Sequence, residues 1–242
     1  MKQADNPLSD RYNRFLEKFS SICAQFNRDP ESVKIVIVTK GQPVEKIKWM
    51  VNLGAHVFGE NYPEETIEKI SELGTISEKI EWHMIGHLQS RKSNLVAEHF
   101  SVLQSLDSVK LAKRLNKQLE ASGKIMQVLL QFNVGGEESK YGWVADDKSA
   151  WEELIEPVEE IHTFQNLKII GLMTMPPLTE NEHMARNNFK RLVELGDYLQ
   201  SNIKGLRLTD YSMGTSHDYA AAIAEGATMI RIGTAIMGER SF

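Results

Sequence analysis

Eight short runs of strand-forming residues recur along the chain, separated by amphipathic stretches of helical period. The strand candidates are Lys34–Thr39, His56–Gly59, Ile80–Ile85, Ser101–Leu103, Met126–Asn133, Lys168–Met173, Leu208–Ser212 and Met229–Ile232. Helical patterns cover Val44–Asn52, Pro63–Glu72, Ser90–His99, Ser108–Ser122, Asp147–His162, Glu180–Ile203 and Ser216–Glu225. Thr234–Gly238 reads as a short closing turn. Ahead of the first strand, Tyr12, Phe15, Leu16, Phe19, Ile22, Cys23 and Phe26 recur at three- and four-residue steps. They predict an extra N-terminal helix from Ser9 to about Asn27. Strict alternation implies parallel strands joined by crossover helices. Eight repeats in 242 residues predict a closed (β/α)8 TIM barrel. The alternative is an open doubly wound sheet, but no GxGxxG follows the first strand. No linker, low-complexity tract or charge block splits the chain, so residues 1–242 are expected to form one domain. The Gly-Gly-Glu-Glu-Ser-Lys stretch after Asn133 reads as a long loop.

In such a barrel the carboxyl ends of the strands carry the site. The first strand ends in Ile35–Val38, Thr39 and Lys40, and Gly-Gln-Pro then breaks the chain. An ammonium is costly to bury without a partner. Either Lys40 surfaces where the strand ends, or the strand aims an amine into a pocket. The second strand delivers Gly59, Glu60, Asn61 and Tyr62. The third delivers His83, Gly86 and His87, the fourth Gln104 and Ser105, the fifth Asn133, and the sixth Met173 and Thr174. SMGTSHD follows the seventh strand and RIGT ends the eighth. Small hydroxyl and glycine residues where a loop enters a helix leave backbone N–H groups facing outward, which suits a phosphate. They are equally ordinary turn and N-cap residues. Lys40 adds weight to the phosphate reading. An amine in a partly desolvated pocket attacks an aldehyde, and a phosphorylated aldehyde held by both features is pyridoxal phosphate (PLP), bound as a Schiff base. Arg231 lies two residues before Gly233, so both face the same side of the strand. Arg231 either reaches the cofactor or pairs inside the barrel with an acid such as Glu60 or Asp210.

His83 reads as a hydrogen-bonded core histidine, and His87 and His217 as loop residues. No histidine pair has metal-ligand spacing with a supporting carboxylate, so no metal is expected. Met173, Met175 and Met213 read as packing near a pocket. Cys23 is the single cysteine, on the apolar face of the first helix, and is expected in the core. A net charge of −5 argues against nucleic acid as a partner. No apolar run approaches a membrane span, and MKQADNPLSDRYNRF lacks an apolar signal region. A cytoplasmic protein is expected.

Several pieces occur together and in order: VTKGQPVE, FGENY, WHMIGHLQSRKSN, GEESKYG, GLMTMPP and YSMGTSHDYAAAIAEGATMIRIGTAIMGER. With them the chain resembles the pyridoxal phosphate homeostasis proteins, whose barrel is of the alanine racemase N-terminal type (fold-type III among PLP proteins). The similarity runs from about Ser9 to Arg240. The resemblance implies that Lys40 is the Schiff-base lysine. It also implies that Ser212, Gly214, Ser216, Gly233 and Thr234 surround the phosphate, that Arg231 lies beside the cofactor, and that Asn61 is near its ring. Some positions depart from the family's usual form. Gly41 replaces a common threonine, Thr215 and His217 alter the run after the seventh strand, and Tyr141 replaces a small residue.

Racemases built on this barrel use two opposed bases, the cofactor lysine and a tyrosine from a separate C-terminal domain across a dimer interface. This sequence ends at Phe242, a few residues past the eighth strand, so the second base is expected to be missing. The expected protein is therefore a monomeric, non-catalytic PLP carrier. It would act in PLP homeostasis by buffering or delivery, with transient apo-PLP enzymes as its partners. The alternative is a stand-alone PLP-dependent racemase or other weak PLP enzyme, with Tyr62 or Tyr141 as second base. A barrel that binds a sugar phosphate without covalent chemistry is a third reading.

Overall fold

The computed structural model describes residues 7–239 apart from 138, 178 and 180. The first residue of the Glu180–Ile203 helix and part of the GEESKYG motif therefore lie outside the described residues, as does Arg240. Among the described residues nine strands form one sheet: β1 (Lys34–Val38), β2 (Val57–Glu60), β3 (Glu81–Met84), β4 (Val102–Leu106), β5 (Met126–Asn133), β6 (Trp143–Val144), β7 (Leu167–Met173), β8 (Asp210–Thr215) and β9 (Met229–Ile232). Eight of them close a parallel ring. β1 pairs with both β2 and β9, and β4 with β5 completes the circle, so the closed (β/α)8 barrel is the observed fold. β6 is a correction to the expected loop. Its two residues add in parallel to β5 outside the ring.

The helices are α1 (Pro7–Gln25), α2 (Val44–Asn52), α3 (Pro63–Leu73), α4 (Ser93–His99), α5 (Val109–Ser122), α6 (Ile155–His162), α7 (Glu182–Asn202), α8 (Tyr219–Ala224) and α9 (Thr234–Met237). Local chemistry sets their ends. Ser108 Oγ accepts the Leu111 N–H at the start of α5, and Gly123 ends it in the left-handed region at φ 64°. The stretch before α6, expected as helix, is a 3-10 segment over Lys148–Leu154. α1 is the element added to the barrel, and its Phe15 ring lies 5.4 Å from that of Tyr219. None of the described helices is long and apolar enough to cross a membrane.

Strand alternation divides the core in two. Val36, Val57, Val102, Leu129, Ile170, Met173 and Met229 fill the barrel interior. Ile37, Phe58, Met84, Leu103 and Phe132 face the helices with Cys23, Leu115, Phe189 and Leu192. Burying each large side chain contributes roughly 1.5–3 kcal/mol. The inner layer turns polar toward the carboxyl ends of the strands, where His83, Gln104, Ser212 and Arg231 are all buried.

Candidate functional site

A cavity of about 230 Å³ opens at the carboxyl ends of the strands. Six of the residues picked from sequence line it: Lys40, Asn61, Ser216, Arg231, Gly233 and Thr234. Ser212 and Gly214 do not line it; they stand behind it. Ser212 is fully buried, and its Oγ takes a hydrogen bond from Arg231 Nη1 at 2.7 Å. Gly214 shapes the end of β8 rather than the wall. Its φ is +88°, and a Cβ there would lie 2.6 Å from Ala222 Cβ. Val38, Ile85, Met175, Thr215 and His217 complete the lining. Val38 was legible as the residue sharing a strand face with Lys40. Met175 matches the expected packing near a pocket, whereas His217 read as an ordinary loop residue.

Lys40 sits half-buried in the turn after β1, and both peptide units flanking it are tied to one polar cluster. Lys69 Nζ, on α3, donates to the Thr39 carbonyl at 2.7 Å, to Glu60 Oε1 at 2.6 Å and to Glu65 Oε1 at 2.6 Å. The Gly41 N–H donates to Glu65 Oε1 at 2.7 Å, and Thr39 Oγ1 to Glu60 Oε1 at 2.7 Å. Gly41 holds φ +65°, which suits a residue without a Cβ. Burial pushes the Glu60 carboxyl above its usual range, and Lys69 and Thr39 pull it back.

The loops after β8 and β9 meet across the cavity. The Ala235 N–H donates to Ser216 Oγ at 3.3 Å, and Asp218 Oδ1 accepts from both the N–H and the hydroxyl of Thr215. Arg231 is 3% exposed. Its Nη1 reaches Ser212 Oγ, and its Nη2 donates to the Thr174 carbonyl at 2.8 Å. Among the described residues it has no carboxylate partner, so the alternative pairing with Glu60 or Asp210 does not occur. Glu60 binds Lys69 outside the ring, and Asp210 accepts from Thr209 and Thr228. Burial lowers the Arg231 guanidinium to about 10, which leaves it a cation at neutral pH.

Gln104 and Ser105 are a second correction. They are not at a strand end, because β4 runs on to Leu106, and both are fully buried. Gln104 points into the barrel, where its Nε2 lies 2.6 Å from His83 Nδ1. His83 is the hydrogen-bonded core histidine expected. Asn133 uses its Nδ2 on the Glu137 carbonyl. Tyr62 and Tyr141 line a neighbouring cavity instead, with Asn61 on its edge, and Tyr141 stacks on His87 at 3.8 Å.

Two features test what the cavity suits. Arg231 brings a buried positive charge that no carboxylate among the described residues pairs with directly, Asp218 acting on it only through space. Asn61 Oδ1 is buried with no hydrogen-bond partner. Groups left unpaired in this way are costly unless a ligand completes them. An amine, a cation, hydroxyls and small loop residues around one cavity fit an anionic carbonyl compound with a polar ring, and PLP is such a molecule. Among the described residues no group of histidine, cysteine and acidic side chains is placed to hold a metal ion.

The fold and the cavity define a barrel of the alanine racemase N-terminal class, and the family model described as alanine racemase, N-terminal domain matches residues 7–241. The pyridoxal phosphate homeostasis protein of Haemophilus influenzae is 37% identical over 230 residues, which are 95% of this chain and 94% of that protein. PipY of Synechococcus elongatus, solved with PLP bound, superposes with a TM-score of 0.77 at 33% identity, covering 91% of this chain and 100% of PipY. The chain belongs to the pyridoxal phosphate homeostasis protein family. Alanine racemase from Clostridium difficile shares the fold, with a TM-score of 0.68 at 17% identity, and the match covers 56% of that longer chain.

Proposed function

We propose that this protein binds pyridoxal 5'-phosphate in the cavity at the carboxyl end of the barrel. In this reading it holds PLP covalently on Lys40 and serves PLP homeostasis by buffering or delivery, without catalysis of its own. The observation that carries the reading is the meeting in one cavity of Lys40, a buried arginine without a direct carboxylate partner among the described residues, and the hydroxyl groups and Gly233 after β8 and β9. Its membership of the homeostasis family and the PLP bound to PipY support it. Ser216, Gly233 and Thr234 hold the phosphate, and Ser212 and Gly214 support those loops from behind. Arg231 and Asn61 flank the ring.

PLP supplies a reactive aldehyde. The Lys40 amine, in its neutral form, adds to that carbon, and loss of one water leaves a C=N bond. The bond hides the reactive carbon until an incoming amine exchanges for the lysine and restores the free amine of Lys40. A monomeric carrier in the cytoplasm, meeting apo-PLP enzymes transiently, completes the reading. One domain spanning residues 1–242 suffices for it.

The absorption spectrum of the purified protein tests the proposal. A visible band bleached by borohydride, with the reduced tag mapped to Lys40 by mass spectrometry, is expected. Lys40→Ala should lose the band and keep its fold. A tag on another side chain, or none, overturns the covalent reading.

One observation favours a second reading. His217 lines the cavity and supplies a titratable group other than Lys40 and Arg231, so a weak PLP enzyme would use it as second base. Solvent deuterium appearing at the α-carbon of amino acids, and lost in His217→Ala, would support the enzyme over the carrier.

A further inference from the structure

A single run of hydrogen bonds crosses the barrel interior from one mouth to the cofactor cavity. Lys34 Nζ donates to Glu81 Oε1 at 3.0 Å, and the same oxygen lies 2.6 Å from His83 Nε2. His83 Nδ1 lies 2.6 Å from Gln104 Nε2. Gln104 Oε1 accepts from Ser212 Oγ at 2.6 Å, and Ser212 Oγ accepts from Arg231 Nη1 at 2.7 Å. His83, Gln104 and Ser212 are fully buried, so no solvent offers them other partners.

The direction of every link follows from one end. The Glu81 carboxyl is held at about 2, chiefly by its hydrogen bond to His83, so it is ionised and only accepts. His83 Nε2 therefore carries the proton. Burial keeps the ring neutral, which leaves Nδ1 as an acceptor. Gln104 must turn its NH2 toward His83 and its carbonyl toward Ser212. The Ser212 hydroxyl then points at Gln104 and keeps its lone pairs for Arg231. Chains ordered in one direction polarise one another and resist rotation.

We propose that Gln104 is a positioning residue for Arg231. It fixes the Ser212 hydroxyl as an acceptor and so holds the guanidinium facing the cofactor cavity. Gln104 does not line that cavity; it acts through Ser212. The proposal rests on the PLP reading, since the ligand that Arg231 meets is the cofactor.

A double-mutant cycle on PLP affinity, read together with the visible circular dichroism induced in bound PLP, tests it. Gln104→Leu and Ser212→Ala should each weaken PLP binding about tenfold and reduce the induced signal per bound PLP. At saturating PLP, borohydride should still tag Lys40 in both. The two effects should not multiply, because either change cuts the same chain: Gln104→Leu on the Ser212→Ala background should cost no further affinity. Wild-type affinity and dichroism in Gln104→Leu, or effects that multiply in the double variant, overturn the proposal. Should Gln104→Leu fail to fold, His83→Leu breaks the chain one link further back and is read by the same two signals, with the same outcomes deciding. A wild-type protein without a Lys40 tag overturns the PLP reading itself. A normal tag with an unmoved Gln104→Leu overturns the positioning role alone.

Discussion

Lys69 Nζ donates to the Thr39 carbonyl at 2.7 Å, in the peptide unit that leads into Lys40. The same ammonium bridges Glu60 and Glu65, and its side chain is 7% exposed against 0% for Glu60. Removing one member of a buried ion pair strands the other, and breaking such pairs costs about 3–5 kcal/mol. Lys69→Met is therefore expected to destabilise the fold by that order, as urea denaturation would measure. Lys69→Met combined with Glu60→Gln should recover part of the loss, because the stranded charge is gone. A single variant within about 0.5 kcal/mol of wild type would show that the cluster contributes little to stability.

The barrel is legible because each strand carries a compact apolar run and each helix an apolar stripe, so every ring strand overlaps one of the eight runs, although β4 and β8 each extend about three residues further, β8 taking in the Ser-Met-Gly-Thr expected to follow it. The sequence pattern ends β4 at Leu103, because Gln104 and Ser105 look like strand-end residues. They continue the strand because the barrel interior pairs them: Gln104 with His83 and Ser212, and Ser105 Oγ with the Gly86 carbonyl at 2.6 Å. β6 has two residues within a polar loop, too few to show a period. Lys40, Arg231 and the two glycine-bearing loops were visible as residue types at strand ends. The Lys69 cluster was not, because Thr39, Glu60, Glu65 and Lys69 meet through packing of α3 on β1 and β2, which no local spacing records.

Asn61 separates stability from binding. Its Oδ1 is buried without a partner, and such a group costs roughly 1–3 kcal/mol. Gly86 makes room for the Asn61 backbone, since a Cβ there would lie 2.6 Å from the Asn61 carbonyl oxygen. Asn61→Leu keeps a similar size and removes the orphaned oxygen. Calorimetry without PLP is expected to give an unchanged or higher melting temperature, while titration with PLP gives weaker binding. A variant that loses stability but binds PLP normally would remove Asn61 from the cofactor's surroundings.

Acid should unfold the protein through the interior chain, in two stages. His83 is held below its ordinary 6.5 by burial, so the unfolded state takes up a proton near that pH and the folded state does not. Stability is thus lost as pH falls below 6.5. Glu81 is depressed from 4.5 to about 2, first by its bond to His83 and then by Lys34. Its contribution is complete above 4.5 and disappears as pH falls toward 2. Asp210 also faces His83 and favours its charged form, which narrows the first stage without reversing it. The Glu81 side chain is 33% exposed, so solvent screening reduces its share to about 2 kcal/mol. Urea denaturation from pH 7 to pH 3 should show a monotonic fall. Glu81→Gln should be less stable than wild type at pH 7, with a gap that narrows below pH 4.5, is clearly smaller at pH 3 and would close only near pH 2. A gap between the two that stays constant with pH would mean that Glu81 acts through packing and not through its charge.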